Sequence, residues 1–342
     1  MPGILDKSRI FPLILVLAIV IVWFFRNNYN QPAKSVVFTG YTMGKIAYQV
    51  KYLEENGENY KTEVDSVLKA FNQTFSTYIP DSEISQFNKG TIHKFSSPYF
   101  YPLLNRSKEI FQQTNGAFDP TIAPLVNAWG FGPDKAKSPS KEKVDSLMLL
   151  VNFDSIFFDS ISVCKMQKGM MLDLSAIAKG YAVDIVADFL KSKGINNLLV
   201  EIGGEAICFG KNELGNTWAI GIDDPTGAYG EKLQAIVQLD DRAIATSGNY
   251  RNYYEIDGKR YSHTISPYTG LPVQHSLLSA SVFSENCMTA DAYATAFMVL
   301  GLEESIKILE NDSQLDAHLV FSDENGGLKS YTTEGIKNYF VE

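Results

Sequence analysis

The sequence has few residues of the kinds that build metal centres and disulfide frameworks. Its three cysteines, Cys164, Cys208 and Cys287, share no metal-ligand spacing, and their odd number leaves at least one thiol without a partner. A zinc site and a disulfide-stapled fold are therefore not indicated. We predict buried free thiols instead.

Three common sequence motifs are also missing. There is no G-x-G-x-x-G and no P-loop, which disfavours the two commonest nucleotide-binding frameworks. Thr246-Ser247-Gly248 lacks the G-x-S-x-G pattern of a nucleophile elbow, so a hydrolase triad has little support. A turn that binds a ligand through its backbone groups is the better interpretation of residues 246–248.

Acidic residues outnumber basic ones in this sequence. Lysine and arginine number 30 against 39 aspartates and glutamates, and the formal net charge is -9. This balance disfavours nucleic acid or an acidic surface as a general partner, although a single nucleotide could still bind locally. At 342 residues the chain can bury a full core as one large domain or two modest ones.

One long apolar run stands near the start of the chain. Residues 10–25 follow Lys7 and Arg9 and are closed by Arg26, and the run is slightly shorter than the ~20 residues of a comfortable bilayer span. No small-x-small cleavage site and no lipoprotein cysteine follow it. We predict an uncleaved membrane anchor, with the globular part of the chain outside the cytoplasmic membrane. The predicted organisation is an anchor at 1–26, a tether at 27–35 and one domain at 36–342.

Helical and strand patterns are mixed throughout the remaining sequence, without regular βαβ alternation, and this favours an α+β fold. Alternating stretches at 36–50 and 60–62 predict early strands around a turn at 54–57. The run at 252–265 predicts a hairpin through Asp257-Gly258 that places His263 at the end of its second strand.

The stretch from Asp173 to Glu205 is the most informative. Asp173 stands where it could cap a helix, apolar residues follow at helical spacing, and Gly194 is placed to end that helix. Residues 198–202 then predict a buried strand that ends at Gly203-Gly204. An acidic cap and a lysine at a helix start suggest a phosphorylated ligand, but the pattern also occurs by chance.

Two further patterns suggest chemistry. Asp291 and Thr295 are four residues apart on a predicted helix, so their oxygens share one face and suit Mg²⁺. A solvated or capping aspartate fits the same spacing. His263, one of four histidines, is a candidate general base, and a hydrogen-bonded histidine at a strand end is the alternative.

Taken together, these segments resemble the ApbE family of FAD:protein FMN transferases from about Thr39 to the C-terminus. The matching motifs keep the family order and spacing. They are Thr42-Met43-Gly44, Gly116-Ala117-Phe118-Asp119-Pro120, Asp173-Leu174 with Ala178-Lys179-Gly180-Tyr181-Ala182, Gly203-Gly204, Thr246-Ser247-Gly248-Asn249-Tyr250-Arg251, Ser262-His263-Thr264-Ile265-Ser266-Pro267-Tyr268-Thr269-Gly270, and Ala290-Asp291-Ala292 with Thr295.

The resemblance implies an α+β, T-fold-related domain that binds FAD as a substrate. It implies transfer of the FMN moiety to a threonine hydroxyl of a partner protein, with release of AMP. Mg²⁺ would be held by Asp291, Thr295 and the backbone carbonyl of Ala176, and Lys179 and His263 would act in catalysis. The FAD contacts it implies are Met43, Tyr78, Ala117, Phe118, Asp119, Asp173, Lys179 and Ile265.

The resemblance also implies that the acceptors are threonine-bearing subunits of extracytoplasmic electron-transport complexes. Two alternatives stay open from the sequence. One is a metal-dependent FAD pyrophosphatase, in which water replaces threonine as the acceptor. The other is a flavin-binding protein without catalysis, which would release no AMP.

Overall fold

The structure is a computed structural model. It describes Pro12, residues 15–20, 33–132, 138–224, 233–249 and 263–341, and the strand backbones at 253–256 and 259–262. Most of the predicted anchor and tether lies outside these residues; Pro12 and residues 15–20 are helical and exposed. Within the described part of the chain, no helix is long and apolar enough to cross a membrane.

The described part forms sixteen strands, numbered in chain order. They are β1 Lys34–Thr42, β2 Ile46–Glu54, β3 Ile92–Lys94, β4 Ile156–Phe158, β5 Ser162–Lys165, β6 Leu198–Ile202, β7 Glu205–Phe209, β8 Trp218–Asp223, β9 Leu233–Leu239, β10 Ala243–Gly248, β11 Tyr253–Ile256, β12 Lys259–Ser262, β13 Leu277–Ser284, β14 Asp316–Ser322, β15 Leu328–Thr332 and β16 Phe340–Val341.

Helices fill the intervals between the strands. The α-helices are α1 Lys61–Phe75, α2 Glu83–Lys89, α3 Phe100–Gln113, α4 Ala123–Ala128, α5 Lys141–Met148, α6 Ser175–Ser192, α7 Cys287–Leu300 and α8 Leu302–Asn311. Short 3₁₀ helices occupy Pro120–Ile122, Phe153–Ser155 and Glu334–Tyr339.

The architecture is organised by one eight-stranded sheet with the order β1-β2-β6-β7-β10-β13-β14-β15. Every neighbouring pair in it is antiparallel. Smaller sheets have the orders β16-β9-β8, β3-β5-β4 and β11-β12. Helices and an antiparallel sheet in one domain confirm the predicted α+β class.

The two faces of the large sheet bury different cores, as the alternation of side chains along a strand requires. On β6, Leu198 and Val200 belong to the main core, which includes α6 and α7. Leu199 points the other way, into a smaller core against β8 and β9. The sheet therefore separates a helical layer from a small β layer.

Helices α6 and α7 meet at Gly180. An added Cβ there would lie 2.2 Å from the carbonyl oxygen of Cys287 and 2.8 Å from Cβ of Asp291. Beyond this contact, the carboxylate of Asp184 accepts the backbone N–H groups of Cys287 and Met288 at 2.7 and 2.8 Å. The start of α7 is thus fixed against α6 by backbone contact and by hydrogen bonds.

The fold confirms one of the predicted strand patterns and contradicts two others. The hairpin that delivers His263 is confirmed, with Tyr253 paired to Ser262, although Asp257 and Gly258 lie outside the described residues. The strand predicted at 60–62 is wrong, because α1 begins at Lys61. The turn between β1 and β2 is at Met43–Lys45, where Met43 has φ 47°; the turn at 54–57 instead joins β2 to α1.

Smaller details also differ from expectation. Strand β1 already begins at Lys34, inside the predicted tether. Cys208 and Cys287 are buried free thiols as predicted, whereas Cys164 is a half-buried one.

We expect Gly180→Ala to destabilise the protein by about 3 kcal/mol, because the new methyl group would overlap a backbone carbonyl that cannot rotate away. In an uncrowded helix the same change would stabilise by about 1 kcal/mol. Asp188→Ala, at an exposed position of the same helix, is the control and should stay within about 0.5 kcal/mol of the parent. Urea unfolding midpoints measure both. A Gly180→Ala protein as stable as the parent would contradict this packing.

Candidate functional site

A cavity of about 360 Å³ opens on the helical side of the large sheet. It brings together most of the residues singled out from the sequence, although they are far apart along the chain. These are Ala117, Phe118, Asp119, Asp173, Ala176, Lys179, His263, Ile265, Asp291 and Thr295. A larger groove of about 550 Å³, beside Tyr268 and α8, contains none of them.

One end of the cavity contains a cluster of three ionisable side chains. Nζ of Lys179, on the first turns of α6, lies 2.8 Å from Oε1 of Glu205 and 3.3 Å from Oδ1 of Asp291. Both carboxylates are buried, with Asp291 2% and Glu205 3% exposed. The Lys179 side chain is 28% exposed and lines the cavity. With Glu205 ionised, this cluster has two negative charges and one positive.

Burial and mutual attraction act against each other in this cluster. Burial alone would lower the pKa of Lys179, but the charges of Asp291 and Glu205 outweigh it and hold that pKa above its usual range. Burial raises the pKa of Glu205 to about 7 although Lys179 opposes the change. Lys179 therefore stays cationic at neutral pH, and the cluster has excess negative charge only when Glu205 is ionised.

Asp291 is fixed by more than Lys179. Its Oδ2 accepts the backbone N–H of Gly180 at 2.9 Å, a contact that the close approach of α6 and α7 makes possible. Thr295 follows one helical turn later, and its Oγ1 lies 3.2 Å from Oγ of Ser247 on β10. The predicted shared face of Asp291 and Thr295 is thus directed into the cavity.

The oxygens of Asp291 and Thr295 are candidate ligands for a metal ion. Within the described ranges, no group of three or more histidine, cysteine, aspartate or glutamate side chains could hold a metal ion. Asp291, Thr295 and the Ala176 carbonyl are a carboxylate, a hydroxyl and an amide oxygen, hard donors of the kind that Mg²⁺ takes alongside water and phosphate. Glu205 Oε2 adds a buried oxygen that no described donor reaches. The donor set fits a hard divalent cation, and a bound cation would also favour the ionised form of Glu205.

The side of the cavity formed by residues 117–120 is held by local hydrogen bonds. Oδ1 of Asp119 accepts the backbone N–H of Thr121 at 2.7 Å and its hydroxyl at 2.6 Å, and burial raises the Asp119 pKa. The N–H of Asp173 donates to the Pro120 carbonyl at 2.8 Å, while its Oδ1 accepts the N–H of Ser175. The N-cap of α6 is Leu174 and not Asp173 as predicted; Asp173 lies one residue earlier and accepts the N–H of the first helical residue, Ser175.

His263 also lines the cavity and follows β12 immediately in the chain. Its ring packs edge-on against Phe131 with the centroids 6.3 Å apart. The neighbouring Thr264 hydroxyl donates to Oδ1 of Asn249 at 2.9 Å, and the Thr264 carbonyl accepts the N–H of Val273. The chain that carries His263 is thus fixed at the cavity rim.

Two residues predicted to contact FAD lie elsewhere. Met43 is in the turn between β1 and β2, where it is half-buried, and Tyr78 is 67% exposed in the loop after α1. Neither lines the cavity. Their contacts with FAD stay predictions.

Residues 246–248, predicted to form a ligand-binding turn, instead end strand β10 and bring Ser247 to the cavity, and Glu205 also lines it although no sequence pattern predicted a role for Glu205. Both lie on strands, where residue spacing does not show which helix they face. The position of Glu205 directly after Gly203-Gly204 was a usable signal, because a carboxylate beside a predicted phosphate turn is unexpected.

Comparisons with known proteins identify the family of this chain. A sequence model of the ApbE family matches residues 43–319. A Vibrio cholerae protein named FAD:protein FMN transferase is 38% identical over 321 residues, which cover 91% of this chain and 94% of that protein. A Haemophilus influenzae protein of the same name is 37% identical, covering 87% of this chain and 89% of its own length.

Two solved structures are also similar to this chain over about nine-tenths of its length. The flavin transferase ApbE from Vibrio cholerae superimposes with a TM-score of 0.81 at 36% identity, covering 90% of this chain and all of that one. The apo form of the Pseudomonas stutzeri flavinyl transferase ApbE has a TM-score of 0.81 at 34% identity, covering 91% of this chain and 98% of that one. The family model, the relatives and the fold agree: the chain belongs to the ApbE family.

Proposed function

We propose that this protein transfers the FMN moiety of FAD to a threonine hydroxyl of an acceptor protein, with the help of Mg²⁺. The observation that supports this most directly is the Lys179–Asp291–Glu205 cluster at one end of the cavity. It offers a cationic side chain and buried oxygens for a metal, which together suit the pyrophosphate of FAD. Phe118, Ile265 and Phe131 line the cavity and suit the apolar part of the ligand.

Asp291, Thr295 and the carbonyl of Ala176 would hold the metal. When bound there, Mg²⁺ would neutralise pyrophosphate charge and stabilise the charge that develops as the bond to AMP breaks. Lys179 would be a second cation beside the phosphates. Glu205 orients Lys179 through the 2.8 Å contact between Oε1 and Nζ.

The transfer is a single displacement at the phosphorus of the FMN half. The threonine oxygen forms the new P–O bond, the P–O bond to the AMP phosphate breaks, and AMP leaves. We assign His263 as the base that receives the hydroxyl proton, since it lines the cavity and is only partly buried. The protein would contribute mainly positioning and electrostatic stabilisation, as in other transfers of this kind.

The cellular setting belongs to the same proposal. The apolar run at 10–25, flanked by Lys7, Arg9 and Arg26, supports an N-terminal anchor with the domain on the extracytoplasmic side of a bacterial membrane. Acceptors would then be exposed subunits of electron-transport complexes that carry a suitable threonine.

The proposal is tested with the full-length chain, FAD and Mg²⁺, with and without an acceptor that carries the threonine. We expect AMP release together with a fluorescent flavin band on the denatured acceptor. AMP in both reactions with no labelled protein would favour the FAD pyrophosphatase. No AMP in either reaction would indicate a flavin-binding protein without catalysis.

Asp291→Ala should lower Mg²⁺-dependent AMP release by about a hundredfold or more, because the main metal ligand is lost and Lys179 keeps only Glu205. Asp312→Ala, in the larger groove, is the control and should act like the parent. A chelator should reduce the parent enzyme to a similar level. Unchanged turnover in chelator would remove the metal from the mechanism.

His263→Ala should slow transfer to threonine by about a hundredfold at saturating FAD, because the hydroxyl would lack its proton acceptor. FAD binding should change little. Single-turnover labelling of the acceptor measures the effect, and His275→Ala, a histidine outside this cavity, is the matched control. Transfer at a near-normal rate in His263→Ala would exclude the histidine as the base.

A further inference from the structure

Helices α6 and α7 together carry the oxygens assigned to the metal. Ala176 lies in the first turn of α6, and Asp291 and Thr295 lie on successive turns of α7. Because the distances between a metal ion and its ligands vary by only about 0.2 Å, the three oxygens can share one cation only if the two helices keep a fixed relative position. A residue that fixes this position therefore bears on the affinity for the cation.

Two carboxylate contacts, one from each helix, join α6 to α7. Asp291 of α7 accepts the backbone N–H of Gly180 at 2.9 Å. In the opposite direction, Asp184 of α6 accepts the N–H groups of Cys287 and Met288 at 2.7 and 2.8 Å. Gly180 pairs with the later residue of α7 and Asp184 with the earlier ones, so the helices are antiparallel here and the two contacts lie about one turn apart.

The Asp184 contact completes the N-terminal cap of α7. The first N–H groups of an α-helix have no acceptor within that helix. Those of Cys287 and Met288 donate to Asp184. That of Thr289 donates to the side chain of Asn286, the N-cap residue, at 2.9 Å. The first turn of α7 is therefore held mainly from α6, across the interface between the two helices.

Asp184 acts on the site from outside the cavity. It is half-buried and is not among the residues that line the cavity. Cys287, whose N–H it accepts, stands one helical turn before Asp291 and two turns before Thr295. Since so short a stretch of helix moves as a rigid body, a shift of the first turn of α7 would displace both metal oxygens.

The contact also has an electrostatic basis. A carboxylate at the N-terminus of a helix is stabilised by the helix dipole. Burial raises the pKa of Asp184 to about 7; the two N–H bonds oppose this rise, and the charges of Asp188 and Asp291 add to it. At about pH 8 the carboxylate is therefore mostly ionised and accepts both bonds as charge-assisted hydrogen bonds.

From these contacts we infer that Asp184 is a positioning residue for the divalent cation. It holds the start of α7 where Asp291 and Thr295 can share a cation with the carbonyl of Ala176. The inference rests on the proposed metal-dependent transferase function, and it adds a residue outside the cavity to those that determine the metal affinity.

The test measures the binding of Mn²⁺, a paramagnetic cation that takes oxygen ligands as Mg²⁺ does. The full-length protein is titrated with Mn²⁺ at the same pH in the presence of ADP, which supplies a pyrophosphate but no flavin. Free Mn²⁺ is followed by electron paramagnetic resonance. Asp184→Asn keeps the side-chain volume but turns an amide donor toward one of the two N–H groups. We expect the Kd for Mn²⁺ to rise about tenfold or more, and AMP release from FAD at saturating Mn²⁺ to fall as well.

Two variants on the same helix separate position from charge and from stability. Asp188→Asn removes a carboxylate at an exposed position, and Leu190→Ala removes buried packing further along α6. Both should bind Mn²⁺ within about twofold of the parent, although Leu190→Ala should lower the urea unfolding midpoint clearly. If Asp184→Asn does not fold, Asp184→Ser, whose hydroxyl accepts one of the two bonds, replaces it with the same expectation.

The outcomes distinguish the positioning role from the proposed function. A rise in Kd confined to the Asp184 variant would support the inference, and an unchanged Kd in that variant would overturn it. An equal rise in Asp188→Asn or Leu190→Ala would also overturn it, because charge or stability would then explain the effect. If the parent binds Mn²⁺ but releases no AMP from FAD even with an acceptor, the transferase proposal fails, and the positioning role is decided by the Kd alone.

Discussion

The carboxylate of Asp291 is the feature on which the rest of the site depends. One oxygen accepts the backbone N–H of Gly180, and the other lies 3.3 Å from the Lys179 ammonium. Both contacts require α6 and α7 to touch with no side chain at residue 180. The same contact therefore packs the core and holds the chemical groups of the site.

Burying the carboxylates of Asp291 and Glu205 together costs free energy, and this cost explains which ligands suit the site. Two buried carboxylates share one ammonium, and burial opposes the ionisation of Glu205. A cation that binds beside Asp291 would offset the negative charge of the two carboxylates. The pyrophosphate of FAD would accompany that cation. The site is consequently better suited to a metal–pyrophosphate pair than to either partner alone.

The sequence predicted those parts of the site that lie on one element or at one element boundary. The shared face of Asp291 and Thr295 follows from helical spacing, and the position of His263 follows from the hairpin before it. The meeting of Lys179 with Asp291 could not be derived from local pattern, because it depends on how two helices pack. Residues 60–62 were misassigned for a related reason: Tyr60 and Thr62 have strand propensity, but tertiary packing places the start of α1 there.

The central claim is that the Lys179–Asp291–Glu205 cluster binds metal and pyrophosphate as a pair. The direct measurement is the affinity of the full-length protein for FAD, by flavin fluorescence, with Mg²⁺ present and with chelator. Because linkage is reciprocal, the account predicts markedly tighter FAD binding with Mg²⁺ and tighter Mg²⁺ binding with FAD. Equal FAD affinity under both conditions would contradict it.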